Sequence, residues 1–172
     1  MLKLVRPNIK YKRTYLQAAS EHKKVGRFIN VDINEAKKDF KNFVNKIKSR
    51  KFGFNLPPTY PNAEIEYWLI DNETFIGRVG VRTKLNKNQR NKVGHIGISI
   101  RPSKRKKGYG FKGFKLALNK AKFNGLKKVL LICKDTNIAS QKMIERLGGK
   151  LIEKYEVKNE ATRLRYIVKL DG

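Results

Sequence analysis

Ile98-Ser99-Ile100-Arg101-Pro102-Ser103-Lys104-Arg105-Lys106-Lys107-Gly108-Tyr109-Gly110-Phe111 is the stretch on which the fold of this chain turns. Its first residues end a strand in which Ile96, Ile98 and Ile100 face one way and His95, Gly97 and Ser99 the other. The strand stops at Pro102. A helix is predicted from Gly108 to Asn124, with Phe111, Phe114, Leu116, Leu118 and Ala121 as its apolar residues. Of the seven residues 101–107, five are basic: Arg101, Lys104, Arg105, Lys106 and Lys107. Such a loop is an anion cradle. Glycine lets the backbone approach a phosphate closely. The first helical amides lack intrahelical acceptors, and the helix dipole adds positive charge there. The same pattern also suits a plain basic turn with glycine for geometry. No Gly-Lys-Ser/Thr follows, so it is not a Walker loop. Gly108-x-Gly110-x-x-Gly113 lies too deep in the chain for a dinucleotide fingerprint, which opens the first strand–helix–strand unit.

Upstream, residues 10–24 place Tyr11, Tyr15, Leu16 and Ala19 at helical spacing, and Gly26 can end that helix. Residues 33–47 read as one amphipathic helix through Ala36, Phe40, Phe43, Val44 and Ile47, capped by Asp32 or Asn34. Residues 52–61, with Gly53, Pro57, Pro58 and Pro61, read as a loop. A hairpin follows, 64–70 and 74–81 around Asp71-Asn72-Glu73, and then a polar loop at 85–92. Downstream, Val129-Leu130-Leu131-Ile132-Cys133 is a short apolar run of the kind found in buried strands, and it implies a parallel crossover. A helix from Asn137 to Leu147 ends at Gly148-Gly149. Strands at 151–157 and 164–170 flank the turn Lys158-Asn159-Glu160. The expected fold is α/β: a mixed, mostly antiparallel central sheet with helices on both faces, in a single domain over residues 1–172.

Composition narrows the function. The chain has 172 residues, 40% of them hydrophobic, enough for one cored domain. No stretch approaches the roughly 20 apolar residues of a membrane helix, and no secretory h-region opens the chain, so a cytoplasmic protein with no membrane partner is expected. One cysteine, Cys133, excludes an intrachain disulfide, and two histidines supply a metal site poorly; no metal is expected. Forty-one Lys and Arg against 14 Asp and Glu give a net charge of +27. That field favours anionic partners and opposes polycationic substrates, although a lysine-rich surface alone would produce it too.

The stretch resembles the acetyl-CoA signature of the GCN5-related N-acetyltransferases, Arg/Gln-x-x-Gly-x-Gly/Ala between a strand and a helix. Arg105, Gly108 and Gly110 match it, preceded by Ile100-x-Pro102. Asp135-Thr136-Asn137-Ile138-Ala139-Ser140 and Glu145-Arg146-Leu147-Gly148-Gly149 are similar to the family's next strand–helix region. Residues 94–103, with Asn137 to Ser140 and Arg165-Tyr166, resemble a subgroup known mainly as predicted acetyltransferases. The resemblance implies acetyl-CoA as cosubstrate, with the amides from Lys106 through Lys107, Gly108 and Tyr109 to Gly110 on its pyrophosphate. Arg105 and Lys106 side chains would add charge, and the backbone of Ile98 and Ile100 would pair with the pantetheine arm. Asn137 would bond the arm, with Ser140 nearby; Asn137 also suits a helix N-cap.

By the same resemblance, an amine attacks the thioester directly while the backbone N–H of Ile100 polarises it. Ile144 stands where many relatives carry an acid tyrosine, and Ile96 lies near the place of a common glutamate base. His95 is then the candidate base, since imidazole titrates near neutral pH; a structural histidine at a strand start is the competing reading. Glu66, Tyr67 and Trp68 are candidate acceptor contacts, with a half-exposed strand as the alternative. Cys133 reads as a core residue. The reading that results is an N-acetyltransferase acting on a primary amine, with a homodimer left open. The alternative is a basic nucleic-acid-binding or ribosome- or tRNA-associated protein, using Lys84, Lys87, Arg90, Lys92 and the 101–107 cluster on phosphates and Phe52, Phe54 and Tyr60 on bases, with an acetyltransferase that modifies such a partner as the hybrid of the two readings.

Overall fold

The computed structural model describes residues 1–26, 33–56, 63–157 and 160–170. The Asp32 cap, Pro57, Pro58, Tyr60, Pro61 and the Lys158-Asn159 turn lie outside those residues. The chain folds as two compact units, Met1–Gly80 with Ile98–Leu116, and Val81–Gly97 with Ala117–Gly172.

The first unit is built on aromatic residues. A 3-10 turn, Ile9–Tyr11, leads into α1 (Lys12–Lys24). The expected single helix over 33–47 is two helices, α2 (Ile33–Lys38) and α3 (Phe40–Ser49). Asp39 makes the break: at φ −140° it leaves the helical region, and its carboxylate accepts from the Asn42 amide at 3.0 Å as the N-cap of α3. Tyr15, Phe40, Phe43, Val44 and Ile47 bury their side chains with Trp68, Ile70 and Phe75. Tyr15 stacks on Trp68 at 4.6 Å, and Phe75 meets both rings edge-on. These strands belong to β2 (Ile65–Asp71) and β3 (Thr74–Val81). Asn72 and Glu73 join them, both at positive φ, as a two-residue hairpin turn requires. A short strand that the sequence pattern did not show, β1 (Lys3–Val5), adds antiparallel to β2 with Leu4 opposite Leu69.

The sheet order is β1-β2-β3-β4, with β4 at Ile96–Ile100. The Arg82 amide donates to the His95 carbonyl and the Arg101 amide to the Ile76 carbonyl, so β3 and β4 run antiparallel. The polar segment expected as a loop at 85–92 contains α4 (Lys87–Lys92), opened by a capping box between Asn86 and Gln89. Beyond the basic loop comes α5 (Tyr109–Phe123).

In the second unit, β5 (Lys128–Lys134), α6 (Ile138–Arg146), β6 (Lys150–Tyr155) and β7 (Arg163–Lys169) follow. Their sheet is antiparallel in the order β5-β7-β6. The mixed α/β class with mostly antiparallel strands is therefore the one adopted, in two sheets. The parallel crossover expected for 129–133 is not among the ladders of the described residues. β5 pairs along its whole length with β7, and Gly94 meets Leu131 only in an isolated antiparallel bridge. Nor is β5 covered on both sides: Val129, Leu131 and Cys133 are buried, while Leu130 and Ile132 between them are partly open.

Candidate active site

The basic loop has the geometry of an anion nest. After Ile100 the chain makes a 3-10 turn, Pro102–Lys104, and then places Lys106 at φ +58° and Gly108 at φ +76°. Lys106 follows the extended Arg105, and successive N–H groups through a turn of this kind can face a common anion. The amide of Lys112 donates back to the Gly108 carbonyl at 3.2 Å, so α5 starts at this glycine. The amides of Lys106, Lys107, Gly108, Tyr109 and Gly110 have no acceptor among the described residues. A Cβ on Gly108 would meet nothing within 4 Å, so the space over the nest is open. Lys106 and Lys107 are exposed beside it.

Two side chains of the loop face elsewhere. Arg105 donates from Nε to the Ile100 carbonyl at 3.1 Å, which folds the loop back on the strand it leaves. Tyr109 donates its hydroxyl to Asp71 at 2.9 Å and so ties the start of α5 to the hairpin; this bond raises its phenol pKa. Gly113, one turn on, seats the helix. A Cβ there would stand 2.9 Å from Leu69 and 3.0 Å from Ile98.

A residue that sequence reasoning missed holds the loop's other end. Glu21, on α1, accepts from Arg101 Nε at 2.8 Å and Nη2 at 2.7 Å, and from the Ser103 amide at 3.1 Å. Partial burial opposes its ionisation, but the bonds from Arg101 and Ser103 win and bring its pKa to about 2. Eighty positions separate the pair, and no local pattern marks such a contact.

β4 offers main-chain groups. It is the end strand of its sheet. Since the Arg101 amide points to β3, the alternating amides of Ile98 and Ile100 point away from β3. Gly77 makes the β3–β4 approach close: a Cβ there would lie 2.3 Å from the Ser99 carbonyl oxygen.

Asn137, Ser140 and His95 belong to the second unit. Asn137 caps α6, its side chain accepting from the Ser140 amide at 3.2 Å. His95 is held twice by β5. Its amide donates to the Leu130 carbonyl at 2.8 Å, and its Nδ1 accepts from the Leu130 amide at 2.8 Å. An Nδ1 that accepts leaves the hydrogen on Nε2, so this imidazole has no lone pair to offer as a base. Burial also pushes its pKa below the usual value, with Arg90 and Arg82 adding to the effect. Cys133 is buried, and its thiol pKa is raised by that burial.

The candidate acceptor contacts are buried. Trp68 is 0% exposed, Glu66 1% and Tyr67 8%. Glu66 accepts from Trp68 Nε1 at 3.0 Å, lies 3.0 Å from Arg78 and 3.6 Å from Arg50, and its carbonyl takes Arg6. Arg78 also binds Glu64. Burial works against the Arg78 cation, but Glu66 and Glu64 outweigh it and keep it charged. These charges anchor β2 and β3 from within. Among the described residues no group of three or more His, Cys, Asp or Glu is placed to hold a metal ion, and no helix is long and apolar enough to cross a membrane.

The end strand β4, the turn at Lys106–Gly108 and the start of α5 follow one another along the chain. The acetyltransferase (GNAT) domain family matches residues 2–150, and the chain belongs to it. It is therefore an acyltransferase by class. No curated protein matches the sequence. Among solved structures, the microcin C7 self-immunity acetyltransferase MccE, in complex with acetyl-CoA and AMP, is similar at a TM-score of 0.67 and 13% identity, over 98% of this chain and 92% of that one. RimL, a ribosomal L7/L12 alpha-N-protein acetyltransferase in complex with coenzyme A, reaches a TM-score of 0.67 at 12% identity, over 98% and 93%. YncA from Salmonella typhimurium, a putative acetyltransferase with its cofactor acetyl-CoA, gives 0.63 at 12%, over 99% and 94%.

Proposed function

We propose that this chain, acting as one catalytic domain, transfers the acetyl group of acetyl-CoA to a primary amine. The observation that carries the reading is the nest at Lys106–Gly110, five amides without acceptors among the described residues, beside two exposed lysines and an open space at the Gly108 Cα. That donor set suits a diphosphate. The solved structures similar to this fold include ones with acetyl-CoA or coenzyme A bound.

Lys106, Lys107, Gly108, Tyr109 and Gly110 would hold the pyrophosphate through their amides. Ile98 and Ile100 would present outward main-chain groups to the pantetheine arm, and the Ile100 N–H would polarise the acyl carbonyl. Asn137 and Ser140 would supply polar contacts to the same arm. Acetyl-CoA supplies an activated acyl group that an amine attacks directly. Placement of the two reactants carries most of the rate in such a transfer. His95, with Nδ1 committed to Leu130, positions the start of β4 and leaves the amine's proton to solvent.

The acceptor is a primary amine presented in an anionic setting. A net charge of +27 repels free polyamines and attracts amines on acidic or nucleic-acid-bound carriers. RimL, whose named acceptor is a ribosomal protein's alpha-amine, is one precedent for a protein-borne amine on this fold.

Calorimetry with acetyl-CoA and coenzyme A at low and high salt tests the cofactor site, and free-thiol release with a panel of amines and peptides tests the transfer. Saturable binding that persists in high salt is expected. No heat with either ligand at low salt would sink the enzyme reading.

A further inference from the structure

We propose that the turn closing α3, residues 48–55, is a docking element for single-stranded RNA. It is separate from the nest and does not depend on the acetyl-transfer reading.

The turn displays two aromatic rings. Phe52 is 68% exposed and Phe54 66%. Their backbone is fixed: Gly53 sits at φ +88° with its amide on the Arg50 carbonyl at 3.1 Å, and Asn55 at φ +51°. Asn55 Nδ2 donates to Ser49 Oγ at 2.9 Å, and Arg50 Nε donates to the Asn55 carbonyl at 3.2 Å. Arg50 is itself anchored 3.6 Å from the buried Glu66 carboxylate. Folding therefore holds two large apolar side chains in water, at positions where nothing in the first unit's core requires them.

One cation stands over a ring, and others lie on the helix that leads to it. Lys51 lies 4.3 Å over the Phe52 ring. Lys41, Asn45 and Lys48 share one face of α3 by helical spacing, a stripe about 10 Å long that runs toward the turn. Residues 40–56 contain no acid. Among the described residues Lys41, Lys48 and Lys51 form no ion pair, whereas Lys46 on another face is paired with Glu35.

Stacking aromatics edged with unpaired lysines match the chemistry of a single strand, whose bases stack regardless of sequence while its phosphates track the cations. A protein partner fits less well. Two Phe rings offer at most roughly 500 Å² of apolar contact, against about 800 Å² per partner in a stable interface.

The test is fluorescence anisotropy of the full chain with a labelled oligouridylate about 12 nucleotides long. Phe52→Leu/Phe54→Leu keeps the apolar bulk and removes the π-faces. It should weaken binding at least tenfold with the salt slope unchanged. Lys48→Gln/Lys51→Gln should lower the slope of log affinity against log salt by about 1.4, at about 0.7 per phosphate contact. Acetyl-CoA affinity, measured in parallel, should stay at the parent value in both variants. A Leu variant that binds the oligomer within twofold of the parent would overturn the proposal, pointing to apolar docking of a protein or lipid surface; so would an unchanged salt slope in the lysine variant.

Discussion

Glu21 and Arg101, eighty residues apart, form a two-point clasp between α1 and the entrance of the basic loop, with the Ser103 amide as a third bond to the same carboxylate. The loop's conformation is therefore set partly by a helix that carries none of the family's signature residues. Replacing Glu21→Gln keeps the shape and removes the charge. Acetyl-CoA affinity should fall several-fold, and stability at pH 7 by about 1–2 kcal/mol after allowance for solvent screening. The pH dependence separates the causes. With its folded pKa near 2 and an ordinary value of 4.5, Glu21 contributes stability above pH 4.5 that is lost as pH falls toward 2. Chemical denaturation between pH 6 and 3 should show that loss in the parent and a flatter curve in the variant.

Gly108→Trp probes the nest directly. The left-handed φ of +76° costs a non-glycine residue roughly 1–2 kcal/mol. The indole, however, has open space on its side of the loop, so the fold should survive. The bulk would sit where the amides converge. Calorimetry should show no coenzyme A binding, with circular dichroism unchanged.

His95→Gln distinguishes a base from a strut. Gln can still accept from the Leu130 amide, so the variant should fold. In the parent, His95 has a depressed folded pKa; its contribution is complete above the ordinary 6.5 and declines as pH drops below it, because the unfolded chain then binds more protons. The variant should lack that decline in a melt series from pH 7.5 to 5. Its kcat/KM profile should keep the parent's acidic limb; loss of the limb would restore His95 as the base.

Arg78→Met tests the buried charges of the first unit. Arg78 neutralises Glu64 and Glu66, both largely out of water. Removing it leaves two carboxylates facing one another's field, and urea denaturation should show a loss of about 3–5 kcal/mol. Gly80 sets the fit, since a Cβ there would lie 2.5 Å from Glu64 Oε2.

How far the sequence could be read follows the range of the interactions. The strand–loop–helix at 96–123 is legible because glycines, a proline and the isoleucine alternation act within a few residues. The capping box at Asn86 and Gln89 is equally local and could have been found by its spacing, as could Asp39, which interrupts an apolar periodicity that runs through it. β1 has three residues and exists only because β2 offers an edge, so no pattern of its own announces it. Glu66 on a strand looks like an exposed polar position. Its burial depends on Arg78 and Arg50, which no periodicity links to it. The same holds for Glu21, and for the bond from Leu130 that decides which imidazole nitrogen of His95 carries hydrogen.

The border between the two units falls at residues 80/81, 97/98 and 116/117, so the polypeptide passes from one to the other three times. Neither unit is a continuous segment, and no single cut yields either of them whole. During synthesis the first eighty residues must wait for residue 116 to emerge before their own unit has all its parts, by which time part of the second has already been made. Halves expressed separately should stay unfolded, and a nick at any of the three crossings should cost the cooperativity of the entire molecule.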